Sequence, residues 1–192
     1  MKIKQGIYLL IALLCTINSL AQPANLSDPG FENSLTKKTP KVITGADRME
    51  VYLPMLKGKA VAVFANQTSM VKNTHLVDTL LKKGIKIVKI FGPEHGFRGN
   101  ADAGEHVKDA KDVKTGIPVI SLYGDHKKPD KEELKDADIL LFDIQDVGVR
   151  FYTFISSLQS YLEAALENHK PILVLDRPNP NGFYVDGPVL DM

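Results

Sequence analysis

Residues 85–99 read Ile85-Lys86-Ile87-Val88-Lys89-Ile90-Phe91-Gly92-Pro93-Glu94-His95-Gly96-Phe97-Arg98-Gly99, and they decide the fold. The first part is β-branched and apolar, the composition of a strand buried on both faces. Gly92, Pro93 and Gly96 then break the strand and force a tight loop. Into that loop the chain puts a carboxylate, an imidazole and a guanidinium within five positions. A turn needs the glycines and the proline, but it has no use for Glu94, His95 and Arg98 together. In an α/β sheet, ligands bind at loops leaving the carboxyl ends of strands, so the stretch predicts both a strand and a site.

The same alternation continues to either side. Residues 59–65 predict a strand, and residues 74–83 a helix with Leu76, Val77, Leu80 and Leu81 on one stripe and Gly84 as its stop. Further strands are expected over 118–122, 139–144 and 172–175. A short helix over 130–136 opens with Asp130 and Glu133 at capping-box spacing. A long helix over 151–168 has Phe151, Phe154, Ile155, Leu158, Leu162, Ala165 and Leu166 at core spacing. Residues 101–115 are polar and show no period. Continuous apolar strands alternating with helices predict an α/β fold: a Rossmann-like parallel sheet with helices on both faces. Right-handed crossovers then bring every strand exit to one edge.

Upstream of this pattern the chain changes character. Lys2 and Lys4 precede an apolar run, Ile7 to Ile17, which is followed by Ser19-Leu20-Ala21. This is the pattern of a secretory signal peptide over residues 1–21, with an apolar core short for a membrane anchor, so no stable membrane insertion is expected. The predicted destination is the periplasm. Residues 22–41, rich in Pro, Ser, Asn and Lys, read as a flexible leader, and the folded domain is expected over 42–192. The single cysteine, Cys15, lies in the signal segment, with Leu14 standing where a lipoprotein signal wants a small residue. The expected mature chain therefore has no disulfide and relies on a hydrophobic core. Removing Lys2 and Lys4 turns a formal charge of +1 into −1, which gives no footprint for nucleic acid.

The predicted strand exits are polar. They carry Asn66-Gln67-Thr68-Ser69, then Glu94, His95 and Arg98, then Tyr123-Gly124-Asp125-His126. The fourth is Asp143-Ile144-Gln145-Asp146-Val147-Gly148-Val149-Arg150-Phe151-Tyr152, and the fifth Asp176-Arg177-Pro178-Asn179. No glycine follows the first strand as a dinucleotide site requires, there is no Walker lysine motif, and Gly-x-Ser-x-Gly is absent. Glu94, His95, His106, Asp143 and Asp146 are conceivable metal ligands, but no histidine pair has helical ligand spacing, so no metal is expected. Carboxylates surrounded by amides, hydroxyls and arginines suit glycoside hydrolysis, where one acid protonates the leaving oxygen and a second group activates water or attacks. Asn66, Gln67, Gln145, Tyr152 and Asn179 suit sugar hydroxyls, and arginines suit a carboxylated sugar.

Three stretches carry a resemblance. Gly92-Pro93-Glu94-His95-Gly96, Asp143-Ile144-Gln145-Asp146-Val147-Gly148-x-Arg150-Phe151-Tyr152 and Leu175-Asp176-Arg177-Pro178-Asn179-Pro180 resemble the exo-β-N-acetylmuramidases of glycoside hydrolase family 171, and Asn66-Gln67-Thr68 fits as well. The resemblance implies release of terminal N-acetylmuramic acid from peptidoglycan fragments, with a muropeptide or sugar as substrate and no cofactor. It implies a second, C-terminal domain across an active cleft, so a missing domain or a second chain is an expected partner. It puts the catalytic glutamate on Glu94; the residues themselves suggest Glu94 as general acid, His95 to orient it and Asp143 or Asp146 as the second carboxylate, with the acetamido group of the substrate as the alternative nucleophile. Arg98, Arg150 or Arg177 would hold the lactyl carboxylate of the sugar, and Asp176 falls within the matching substrate segment. The competing expectations are a non-catalytic periplasmic sugar binder and an inactive remnant.

Overall fold

The structure, a computed structural model, describes residues 42–99 and 110–189. The expected signal peptide and leader, and His106, lie outside the described residues.

A 3-10 turn, Gly45–Asp47, leads into helix α1, Met49–Leu56. Strand β1 is Ala60–Ala65; a small hairpin, β2 Met70–Val71 and β3 Thr74–His75, precedes helix α2, Leu76–Lys82. Strand β4 is Lys86–Gly92, β5 Ala110–Lys111, β6 Pro118–Ser121; helix α3, Lys131–Leu134, leads to β7, Ile139–Asp143. Helix α4, Phe154–Glu167, and β8, Ile172–Val174, complete the order.

The main sheet runs β5-β6-β4-β1-β7-β8 and is parallel except for β5, which is antiparallel to β6. The chain steps outward from β1 through β4 to β6, then returns to the other side of β1 for β7 and β8. This is the doubly wound order, with its switch point between β1 and β7. The register sets the last residues of neighbouring strands side by side: Ala65 beside Asp143, and Gly92 beside Ser121. All five predicted strands are present, and their exits share one edge.

Two apolar layers cover the sheet. Alternate side chains of β1, Val61 and Val63, pack with Tyr52 and Leu56 of α1 and with Leu76, Val77 and Leu80 of α2. The opposite set, Ala62 and Phe64, packs with Leu134 of α3 and with Tyr161, Ala164 and Ala165 of α4. Phe64 meets Phe142 and Tyr161 edge-on at centroid separations of 5.3 and 5.2 Å, the favoured geometry for aromatic pairs. Each fully buried side chain of this size contributes about 2 kcal/mol.

Two helices differ from expectation. The helix expected from residue 74 begins at Leu76, because His75 caps it: its Nδ1 accepts from the Val77 N–H at 3.3 Å, so Nε2 carries the proton and donates to the Asn66 carbonyl at 2.9 Å. Burial pushes this imidazole down, which keeps it neutral. The long helix begins at Phe154, and Phe151, Ile155 and Leu166, expected in the core, are 79%, 61% and 78% exposed. Leu162 is also exposed. The helix turns its small residues to the sheet, with Ala164 and Ala165 allowing close approach and Tyr161 filling the remaining space. Asp130 and Glu133 form the expected capping box on α3.

Candidate active site

The β4 exit builds the part of the edge where Glu94 stands. Gly92 is required there, since a Cβ would lie 2.9 Å from the Phe97 nitrogen. The loop then curls back, with Gly96 N donating to Pro93 O at 2.9 Å. His95 takes φ of +69°, a left-handed conformation uncommon outside glycine. Phe91 and Phe97 are buried on either side, and Glu94 is left half-buried between them in sequence. Its carboxylate accepts a hydrogen bond from the Tyr123 hydroxyl on the β6 exit, which pushes that phenol up from its ordinary range.

Glu94 and Tyr123 line a cavity of about 380 Å³, together with Lys127 and the hydroxyls of Thr153, Ser156, Ser157 and Ser160. Pro93 and Leu122 supply apolar wall. The hydroxyls come from the start of α4, whose sequence reads as a solvated helix face. In the sequence Tyr123 is only part of a polar exit, and Lys127 and these serines are not among the expected site residues. The signal that could have found the serines is their spacing, with Ser156 and Ser160 one turn apart.

At the switch point between β1 and β7 the arrangement is different. The Asn66 side chain accepts from the Thr68 N–H and hydroxyl at 2.9 and 2.6 Å, and the Thr68 hydroxyl accepts from the Gln145 N–H at 3.0 Å. Ser69 donates its hydroxyl to the Asp143 carbonyl. Asn66 is fully buried. The crevice that commonly takes a ligand in this topology is here bolted by hydrogen bonds. Asn66, expected to meet a sugar, is part of the bolt, while its neighbour Gln67 is exposed.

The arginines divide. Arg177 grips Asp143 with Nε to Oδ1 at 2.6 Å and NH2 to Oδ2 at 2.9 Å, and NH2 also donates to the Met70 carbonyl at 2.9 Å. Burial pushes the Asp143 carboxyl up, and the Arg177 fork pulls the other way. Arg98 is closed just as firmly: Nε and NH2 donate to Asp112 at 2.7 and 2.8 Å, and NH2 donates to Asp78 at 3.1 Å. Arg98 and Arg177, expected to hold substrate, and Asp143, expected as a second carboxylate, each have a buried ionic partner within the domain, an arrangement that braces the loops. Arg150 is exposed.

The β7 and β8 exits form a second polar group. The Gln145 amide donates to the Asp146 and Pro178 carbonyls at 2.7 and 2.9 Å, and Asp146 accepts from the Gly148 N–H at 3.2 Å. Asn181 donates to the Val147 carbonyl at 2.8 Å, and Asn179 sits against Gly148. Tyr152 is partly exposed and packs on Phe151 and Phe154; Asp176 is exposed and accepts through its carbonyl from Gly45 N at 2.7 Å. The β4 and β7 exits flank β1, so strand spacing separates them by about 10 Å. Among the described residues no cluster of three His, Cys, Asp or Glu side chains is placed to hold a metal ion.

Fold and site together define a doubly wound α/β domain whose carboxylates and hydroxyls gather at the carboxyl edge of its sheet, beside a cavity holding one acid. The family described as Exo-beta-N-acetylmuramidase NamZ, N-terminal, matches residues 61–192, and the chain belongs to it. It is 49% identical to the peptidoglycan beta-N-acetylmuramidase NamZ of Bacillus subtilis (strain 168), over 86% of this chain and 41% of that protein. Crystal structures of two DUF1343 family proteins from Bacteroides fragilis NCTC 9343 match it with TM-scores of 0.67 and 0.68, at 50% and 41% identity. They are covered to 39% and 38% of their length, against 79% and 77% of this chain. The chain thus spans about two fifths of the length of these relatives.

Proposed function

We propose that this domain supplies the acid of a glycosidase that releases terminal β-linked N-acetylmuramic acid from the non-reducing end of peptidoglycan fragments, in cell-wall turnover. The observation that carries the proposal is Glu94, half-buried, hydrogen-bonded by Tyr123 and lining a hydroxyl-walled cavity at the sheet's carboxyl edge. A glycosidase needs an acid at the leaving oxygen, and the serine and threonine hydroxyls of this cavity can both donate to and accept from a sugar ring. Membership of the muramidase family and the activity named for the Bacillus subtilis relative support the substrate class. The basic, apolar and small-residue pattern of residues 1–21 supports export to the periplasm, where such a substrate is met.

In this reading Glu94 gives its proton to the glycosidic oxygen as the bond to the anomeric carbon breaks. His95, beside it in a left-handed turn, fixes the loop. Among the described residues, Glu94 is the one carboxylate lining the cavity. Attack on the anomeric carbon then comes from water activated by Asp146 across the edge, or from the acetamido oxygen of the substrate itself.

The test is turnover of a chromogenic β-N-acetylmuramide by the purified protein, compared with the β-N-acetylglucosaminide. Release of chromophore from the muramide alone is expected. Saturable binding of the muramide without product would replace the enzyme by a muropeptide-binding protein.

A further inference from the structure

We propose that Lys127 is the residue by which this cavity distinguishes a sugar bearing a carboxylate from the same sugar without one. The inference rests on the glycosidase reading above and names the group in that site that selects the substrate.

His126, Lys127 and Lys128 leave β6 as consecutive basic residues, and their surroundings separate them. His126 Nε2 lies 3.0 and 3.1 Å from the two carboxylate oxygens of Glu133. Lys128 donates to Glu167 at 2.8 Å and stands 3.9 Å from Glu163. Lys127, between them, is exposed and has no hydrogen bond or ion pair among the described residues, and it lines the same cavity as Glu94. Both flanking basic side chains have carboxylate partners within the domain; the lysine lining the cavity is left for an anion from outside.

The rest of the wall sharpens this. Ser156, Ser157 and Ser160 are neutral, so they suit hydroxyl and amide groups but offer no charge to offset the desolvation of a carboxylate. Lys127 does, through a charge-assisted hydrogen bond from a long, mobile stem. The arginines that could compete are placed elsewhere: Arg98 and Arg177 are closed on buried aspartates, and Arg150 is not part of the cavity wall. N-acetylmuramic acid differs from N-acetylglucosamine by a lactyl ether on a ring carbon other than the anomeric one. A cation and an acid on one cavity wall can therefore engage the two ends of that sugar at once.

Binding, rather than turnover, is the deciding readout. The purified protein is titrated with free N-acetylmuramic acid and with N-acetylglucosamine by calorimetry or NMR. The wild type is expected to prefer the former about tenfold, the size of one charged hydrogen bond. Lys127→Met should abolish the preference with the glucosamine affinity within about twofold, while Lys127→Arg and Arg150→Gln keep it. A wild-type preference that survives in Lys127→Met overturns the role of Lys127 and leaves the glycosidase reading standing. A wild type that binds neither sugar, or binds both equally, overturns the muramic-acid reading itself and this inference with it. Unchanged melting of the variants, expected for an exposed side chain, keeps a lost preference from being misread as unfolding.

Discussion

Arg177 holds Asp143 by both prongs of its guanidinium, at 2.6 and 2.9 Å, with the aspartate side chain fully shielded from water and the arginine nearly so. The pair ties the end of β7 to the exit of β8, and the third bond, to the Met70 carbonyl, ties both to the hairpin beyond β1. Two residues that stand in the polar strand exits of the candidate site are thus occupied with each other. Their closeness to the sheet edge explains why they resemble site residues, and their burial explains why they act as a frame for it.

Removing one partner should therefore act on stability. Arg177→Met leaves a buried carboxylate without its counter-charge and is expected to cost about 3–5 kcal/mol in urea unfolding. Adding Asp143→Asn to it should restore part of that loss, because the stranded charge is gone. A loss below about 1 kcal/mol in the single variant would mean that the pair is not closed in solution.

The Arg98 network predicts an acid limb. The hydrogen bond from Arg98, opposed by burial, holds Asp112 down to about 2. Burial pushes Asp78 up, but Lys114 and Arg98 outweigh it and leave its carboxyl lowered. Depressed folded values stabilise the protein above the unfolded carboxyl range, and that stability disappears as protons are taken up between roughly pH 4 and 2. Wild-type stability should fall by about 2 kcal/mol across that window on account of Asp112. Arg98→Gln should be the less stable protein at neutral pH, with the difference shrinking as pH drops. Parallel pH curves for the two proteins would remove Arg98 from this role.

The strands were legible because burial on both faces writes continuous apolar runs such as Ile139-Leu140-Leu141-Phe142, and the start of α3 because a capping box is local. What failed was tertiary. Helix α1 escaped notice because Pro54 sits inside it. On α4 a 3.6-residue period identifies an amphipathic helix without saying which of two apolar stripes meets the sheet. In the site, the edge was readable from its polar exits, and Glu94 from its loop. The division of the arginines was not, since Asp78 lies in a helix and Asp112 beside a short edge strand, both distant in sequence from Arg98. Lys127 and the α4 serines lie outside the expected site for the opposite reason: a lone lysine, and serines one helical turn apart, are also what an ordinary solvated surface carries.

The hydrogen bond between Tyr123 and Glu94 can be read from the phenol. Glu94 pushes Tyr123 up from its usual range, so Glu94→Gln should return its titration toward about 10. Carbon-13 labelling of the tyrosine rings resolves it from the other tyrosines by NMR. An identical titration in both proteins would show that the phenol and carboxylate are not bonded in solution.

Gly148 tests the join between the β7 and β8 exits. Its φ is +66°, and a Cβ there would lie 2.2 Å from the Asn179 amide nitrogen. Gly148→Ala should cost about 2 kcal/mol, from backbone strain and from displacing Asn179. Faster exchange of the Asn181 and Gly182 amides should accompany it. Full stability in this variant would show that the two loops are not packed as described.

Glu94→Gln and Asp146→Asn together divide the chemistry. Glutamine keeps the shape and much of the hydrogen bonding of Glu94 but cannot deliver a proton, so turnover of a muramide with a poor leaving group should fall by about 10²–10⁴ while melting is unchanged. Substantial residual turnover would displace Glu94 as the acid. The half-buried Asp146, held by the Gly148 N–H, stands across β1 from Glu94. If it activates water, Asp146→Asn should lower turnover as severely as loss of the acid. If the acetamido oxygen of the substrate attacks, Asp146→Asn should cost less than about tenfold. A muramide whose acetamido group is replaced by trifluoroacetamido then reports on the second route, because electron withdrawal weakens that nucleophile and should slow the wild type in proportion. A wild type indifferent to the fluorines, together with an inert Asp146→Asn, would require a nucleophile or base from outside this domain.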